Sequence, residues 1–225
     1  MDFLPNKGIE YLIVIGYLLV LLPFWLLLAR GSSRMPAPAA ALYPAQVVRN
    51  WFRVPEGLHF HLGHAWAAPE ERGLFRVGLD DFAQKLIGPL ARVELPPPGT
   101  ALVQGERAFR LHADSKSVGM LSPLDGTVVA VNDAVAVSPQ VVSEEPYGRG
   151  WLLKVRPSHL DADLKQLLEG ELARKWMEAV SESLRTGLGP DVGQVLQDGG
   201  QPVNGIAREL HGDRWDEFAR IYLLS

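Results

Sequence analysis

The sequence contains no cysteine, which excludes disulfides, thiolate metal ligands and a cysteine nucleophile. A basic excess is missing too. Lysine and arginine total 22 against 26 aspartate and glutamate, a formal net charge of −4. A nucleic-acid binder carries the opposite balance, gathered on one face, so no nucleic-acid partner is expected. Signatures of catalysis are equally sparse. There is no Ser/His/Asp set, and Gly148-Arg149-Gly150 is too short for a phosphate loop. Asp80 and Asp81 are adjacent carboxylates, but neighbours on a helix do not face one another, and the pair suits a helix amino terminus instead. His59, His61 and His64 lack a clear fourth ligand, too little for a zinc site. No catalytic residue and no metal ligand is assigned.

Charge is also absent from one long stretch. Residues 11–29 are apolar or aromatic with glycine and proline, nineteen positions with no charged side chain. At about 1.5 Å per residue they match a hydrocarbon core of about 30 Å. The run predicts an amino-terminal transmembrane anchor over 1–30. A cleaved leader ending near Ala37-Pro38-Ala39 is the rival, but the run is longer than the usual apolar core of such a leader. Arg30, Arg34, Arg49 and Arg53 follow the run. The expectation is therefore a single pass through the cell inner (cytoplasmic) membrane, contacting lipid through 11–29, with the carboxy-terminal side cytoplasmic. Residues 31–57, rich in Pro and Ala at their start, read as a tether.

From Phe60 to Leu153 short apolar runs alternate with Gly, Pro, Asn and Asp turn signals, the rhythm of a β domain. One helix interrupts it over 79–86. Pro96 and Gly99-Thr100 are echoed 27 residues later by Pro123 and Gly126-Thr127, each followed by a short apolar strand. Two related strand–turn units suggest a quasi-symmetric sandwich. Between the copies, residues 109–121 have apolar flanks around Asp114-Ser115-Lys116-Ser117, which predicts a hairpin with its tip near Asp114 and Ser115. Lys116 then lies at or beside the most exposed point of the domain.

Beyond Asp161 the period turns helical. Leu164, Leu167, Leu168, Leu172, Trp176, Val180 and Leu184 share one face, with Gly170 able to split the run. Glu171 and Lys175 can pair across a turn. After a Gly/Pro-rich stretch, a short helix is predicted from Asp213, carrying Trp215, Phe218, Ile221 and Tyr222, with Asp216 completing an imperfect capping box.

An ordered set of residues resembles the H protein of the glycine cleavage system. It comprises His64-Ala65-Trp66, Arg76-Val77-Gly78-Leu79-Asp80-Asp81-Phe82-Ala83-Gln84, Val93-Glu94-Leu95-Pro96 with Gly99-Thr100, Ser122-Pro123 with Gly126, Val131-Asn132, and Pro146-Tyr147-Gly148 with Gly150-Trp151-Leu152. The resemblance implies a mainly β fold with flanking helices, a flattened biotinyl/lipoyl-type sandwich (barrel-sandwich hybrid) over 58–176, here followed by a helical extension over 177–225. It also implies a carrier rather than an enzyme, with a lipoyl group on a hairpin lysine serving glycine-cleavage-type partner enzymes.

The hairpin departs from the family pattern. Ungapped alignment puts Ser115 at the lipoyl-lysine position and Lys116 one place beyond. His112 stands where the family has Glu, and Gly119 where it usually has an acidic residue. Lys116 is the candidate attachment site. Two readings follow: a membrane-tethered lipoyl carrier, or a non-lipoylated adaptor of a membrane complex, a redox complex among the candidates, that keeps only the fold. In either, 177–225 can pack back on the domain or dock a protein partner, and docking is the favoured expectation, since the β domain should be complete without it.

Overall fold

The computed structural model describes residues 15–17, 19, 51–187 and 204–224. The chain divides into two units, Met1–Leu42 and Tyr43–Ser225. In the first, the four described residues are helical and exposed. The expected membrane crossing over 11–29 is corrected here: among the described residues no helix is long and apolar enough to cross a membrane. A crossing takes about 20 consecutive apolar helical residues. The rest of 11–29 lies outside the described residues, as does 31–50 of the expected tether. The expected anchor helix and the inner-membrane location that rested on it are corrected together.

In the second unit, nine strands are seen among the described residues: β1 (His59–Phe60), β2 (Ala65–Pro69), β3 (Phe75–Leu79), β4 (Arg92–Glu94), β5 (Ala101–Leu102), β6 (Arg107–Ala113), β7 (Lys116–Leu121), β8 (Gly126–Val131) and β9 (Leu153–Pro157). They form two antiparallel sheets, one ordered β1-β2-β3-β9-β8-β5 and the other β4-β6-β7. Alternation along β6 and β7 turns Phe109, Leu111, Ala113, Val118 and Met120 inward. There they share one core with Val77, Leu79, Val128, Leu153 and Val155 of the larger sheet. The expected β sandwich with flanking helices is thus present. The two echoed strands are neighbours, with Ala101 opposite Thr127 and Leu102 opposite Gly126.

The strand β2 is buried on both faces. Trp66 packs with Phe60 and Ala173, while Ala67 packs with Phe75, Leu124 and Leu167. Opposite Trp66 stands Gly78, where a Cβ would lie 2.5 Å from the indole ring. The Val-Gly step in the sequence is therefore the space that Trp66 needs.

Seven helices decorate the described part of this unit: α1 (Asp81–Ile87), α2 (Asp133–Val137), α3 (Val141–Glu144), α4 (Leu160–Leu164), α5 (Gly170–Gly187), α6 (Ile206–His211) and α7 (Trp215–Leu223). Asp80 caps α1, its Oδ1 accepting from the Ala83 N–H at 2.8 Å. The single amphipathic run expected past Asp161 is split into α4 and α5, and Gly170 sits at the break with φ +53°. Leu172, expected on the apolar face, is exposed. Glu171 and Lys175 do pair, at 2.7 Å. Residues 188–203 lie outside the described residues.

The edges of the domain differ from expectation. Trp51 and Phe52, placed in the tether by composition, are buried in the main core. At the other end α6 was not foreseen, and α7 begins at Trp215. Ile206, Ala207, Trp215, Ala219 and Leu223 of these two helices are buried in that same core. Of the two fates expected for this segment, packing back on the sandwich is the one that these residues take, while Ile221 and Leu224 stay exposed.

Candidate functional site

The hairpin of β6 and β7 turns through two residues, Asp114 and Ser115, with Ala113 paired to Lys116. Asp114 takes φ +51°, a left-handed conformation that its short polar side chain tolerates. The predicted tip is therefore where the sequence placed it. Ser115 is exposed on the turn, and Lys116 opens β7.

Strand alternation then decides where Lys116 starts from. It shares its face with Val118 and Met120, the inward side, whereas Ser117 and Gly119 belong to the outer side. Its stem leaves from the inner face at the open end of the sandwich, and there it meets α7. The Nζ donates to the Asp213 carbonyl and to Asp216 Oδ1, the latter at 2.6 Å. The Lys116 side chain is 33% exposed. The Asp216 carboxyl is held below the ordinary aspartate range, chiefly by the Lys116 hydrogen bond, with the charges of Lys116 and Arg220 adding to it.

The other flank of the turn is held as well. Arg208 of α6 reaches Asp114 Oδ2 at 2.7 Å, and donates to the Ile87 carbonyl at 3.1 Å and the Pro89 carbonyl at 3.3 Å. Arg220 of α7 lies 3.1 Å from Asp216 Oδ2 and donates to the Ser117 carbonyl at 3.4 Å. The hairpin tip is thus tied on both sides to α6 and α7. Sequence reasoning missed Arg208, Asp213 and Arg220, and gave Asp216 the wrong task. Asp216 and Arg220 stand four apart on a helix, which could have flagged that pair. Nothing local signals a partner 100 residues upstream.

On the outer side of the small sheet, His112 Nε2 lies 3.0 Å from Glu94 Oε2 and 3.3 Å from Arg92 Nη2. The hydrogen bond with His112 holds the Glu94 carboxyl below its usual range, and the neighbouring Arg110 and Arg92 assist. Gly119 lies under the Arg107 side chain, where a Cβ would meet it at 3.2 Å. The two departures from the family pattern are therefore accommodated on one open sheet face.

The other residues that carried the resemblance prove to be joints of the scaffold. His64, buried with φ +64°, sits between the rings of Phe82 and Trp176, and Asp80 Oδ2 accepts from its Nδ1 at 2.7 Å. Trp66 Nε1 donates to the Leu79 carbonyl at 2.8 Å. The Tyr147 hydroxyl accepts from the Asp81 N–H and donates to the Arg53 carbonyl. Burial, and then the Asp80 charge, push that phenol well up. The Asn132 side chain donates to the Arg149 and Trp151 carbonyls. Of the other two histidines, His59 pairs with Glu169 at 3.3 Å, and His61 Nδ1 accepts from the Gly63 N–H. Burial, aided by His64, lowers the His61 pKa. The three histidines thus have separate partners.

For a covalently attached arm the hairpin offers one amine. Lys116 is the only lysine between 107 and 121, and Ser115 has no amine to acylate. The residues fit such a group provided the Lys116 nitrogen leaves Asp213 and Asp216, whose oxygens occupy two of its three donor directions.

Comparison with known proteins bears on the same region. A family model described as glycine cleavage H-protein matches residues 58–180, more than half of the chain. A protein of Thermococcus gammatolerans named "Probable glycine cleavage system H protein" is 36% identical over 129 residues, covering 57% of this chain and 96% of that protein. The glycine cleavage system H protein of Cronobacter sakazakii is 34% identical over 125 residues, covering 56% and 96%. A crystal structure of a glycine cleavage system H protein from Mycobacterium marinum aligns at TM-score 0.47 and 26% identity, covering 56% and 98%.

Proposed function

The chain belongs to the glycine cleavage H-protein family, and on that premise we propose that it acts as a carrier whose arm is a lipoyl group attached to Lys116. The observation that carries this reading is the hairpin: a two-residue turn sets Lys116, the only amine of the segment, beside the exposed tip. When bound, the lipoyl dithiolane supplies the transfer chemistry, and the protein supplies attachment, exposure and docking. The sandwich holds the hairpin rigid from behind through Leu111, Val118 and Met120. A rigid base lets the arm sweep a defined volume and raises its local concentration at partner enzymes of the glycine-cleavage type. Such partners would have to meet the hairpin end of the sandwich.

A second reading has an observation in its favour. Ser115 holds the family's lysine position and the Lys116 nitrogen is bonded to α7. On that reading the domain is an unmodified member of the family that binds proteins through its scaffold. Intact-mass measurement of chain purified from its native host under lipoate-replete growth separates the two. The carrier reading expects one lipoyl adduct, localised to Lys116 by peptide mapping and absent from Lys116→Arg. An unmodified mass, in cells whose other lipoyl proteins are fully loaded, overturns it.

A further inference from the structure

The carboxy-terminal helices meet the sandwich with two different kinds of contact. Their apolar side is seated in the core through Trp215, Ala219 and Leu223. Their polar side does something narrower. Three of its side chains reach the hairpin tip, Arg208 on Asp114, Asp216 on Lys116 and Arg220 on the Ser117 carbonyl, and the Asp213 carbonyl of the turn between the helices adds a fourth contact, on Lys116. Charges alternate across this contact, with Asp114 and Lys116 of the tip facing Arg208 and Asp216 respectively. The side chain that would bear an arm is the one held most closely.

We propose that α6 and α7 form a clasp on the hairpin, and that Lys116 becomes available for acylation, and its arm for partner enzymes, only when the clasp lifts from the tip. This rests on the carrier reading above and deepens it. Acylation joins Nζ to the carbonyl carbon of an activated acyl donor, an acyl adenylate or a thioester. The ammonium first loses one proton to solvent to free its lone pair; the bond from that carbon to the leaving oxygen or sulfur then breaks with its electron pair, and nitrogen gives up a second proton to the leaving group or solvent. The donor carbon must approach the nitrogen on the side that Asp213 and Asp216 occupy. A neutral amide also cannot replace the ammonium opposite a carboxylate, so a modified Lys116 no longer holds the clasp shut. Attachment and closure exclude one another, and loading leaves the hairpin open.

The test compares lysines within one full-length chain. N-hydroxysuccinimidyl acetate is added in pulses, and each lysine is followed by peptide mass. Lys165 and Lys175, both exposed, are the internal references. We expect Lys116 to react on the order of tenfold more slowly than they do, as a site that reacts through local opening should. Arg208→Ala with Asp216→Asn should narrow that gap, with faster hydrogen exchange over 206–223 in step. Raising the salt concentration on the unaltered chain should narrow it as well, which keeps the test valid if the variant misfolds. Lys116 reacting as fast as Lys165 in the unaltered chain overturns the clasp. Equal lipoylation of the closed and opened chains by a lipoate ligase also overturns it, while leaving the carrier reading intact. Faster acetylation without any lipoyl adduct keeps the closed contact and overturns the carrier reading instead.

Discussion

Two buried aspartates in this molecule do similar jobs for partners of different exposure. Asp80 caps α1 and binds His64, and both side chains are buried between the sandwich and α5. Asp216, near the start of α7, binds Lys116 and Arg220 at the rim, where Lys116 is a third exposed. The Asp80 junction joins parts of the scaffold with no water to replace a lost partner. The Asp216 junction joins two segments that solvent can reach. Burial therefore decides which polar contact is permanent and which can open.

The largest effect should come from the buried member. Asp80→Ala removes the cap of α1 and leaves His64 unpartnered in the core, a loss of about 4 kcal/mol. Urea unfolding should show the midpoint falling steeply with an unchanged slope. A loss under about 1 kcal/mol would mean that water reaches this pair, and the contrast with Asp216 would collapse. Next is Trp215→Ala, which empties the apolar seat of α7 and should cost about 3 kcal/mol. It sharpens the comparison, because it loosens the same helix as Asp216 by a route that has nothing to do with charge. Hydrogen exchange should then rise over α6 and α7 well before it rises over β3 and β9.

The buried junction was the more legible of the two in sequence. His64, Trp66, Gly78 and Asp80 lie within 17 residues, in and beside two strands joined by a short connection, and the family resemblance of that stretch drew attention to them. The hairpin tip was legible for the same reason: Asp114 and Ser115 are local turn formers between apolar flanks. The clasp was not. Its partners are separated by about a hundred residues, and a helix in a polar extension gives no hint of the surface that it meets. The amino-terminal run misled in another way. Nineteen uncharged residues meet a length criterion for crossing a membrane, whereas among the described residues no helix is long and apolar enough to do so. Trp51 and Phe52 were lost to the tether because proline and alanine upstream set the reading of the whole stretch.

Smaller effects belong to the rim member, where Asp216 is buried but its partners Lys116 and Arg220 are partly exposed. Asp216→Asn should lower global stability by under about 1 kcal/mol, since a partly exposed ion pair is worth little and the apolar seat remains. Local exchange over 215–223 should nevertheless rise, and a variant with unchanged exchange there would make Asp216 a bystander.

The smallest expected effect is that of acid. Because the Asp216 carboxyl is held below its ordinary value in the folded chain, its contribution is complete above the unfolded aspartate value and is lost as pH falls through the lower, folded one. Lys116 and Arg220 are the cations that face it. Asp114 opposite Arg208 is the other carboxylate at the junction, so the unaltered chain must be compared with Asp216→Asn. Exchange over 215–223 should quicken on acidification in the unaltered chain and much less in the variant. The two curves should meet at the acid end, where both chains carry a neutral side chain at 216. Curves that stay parallel would assign the acid response to Asp114 and Arg208, and would move the weak point of the clasp from α7 to α6.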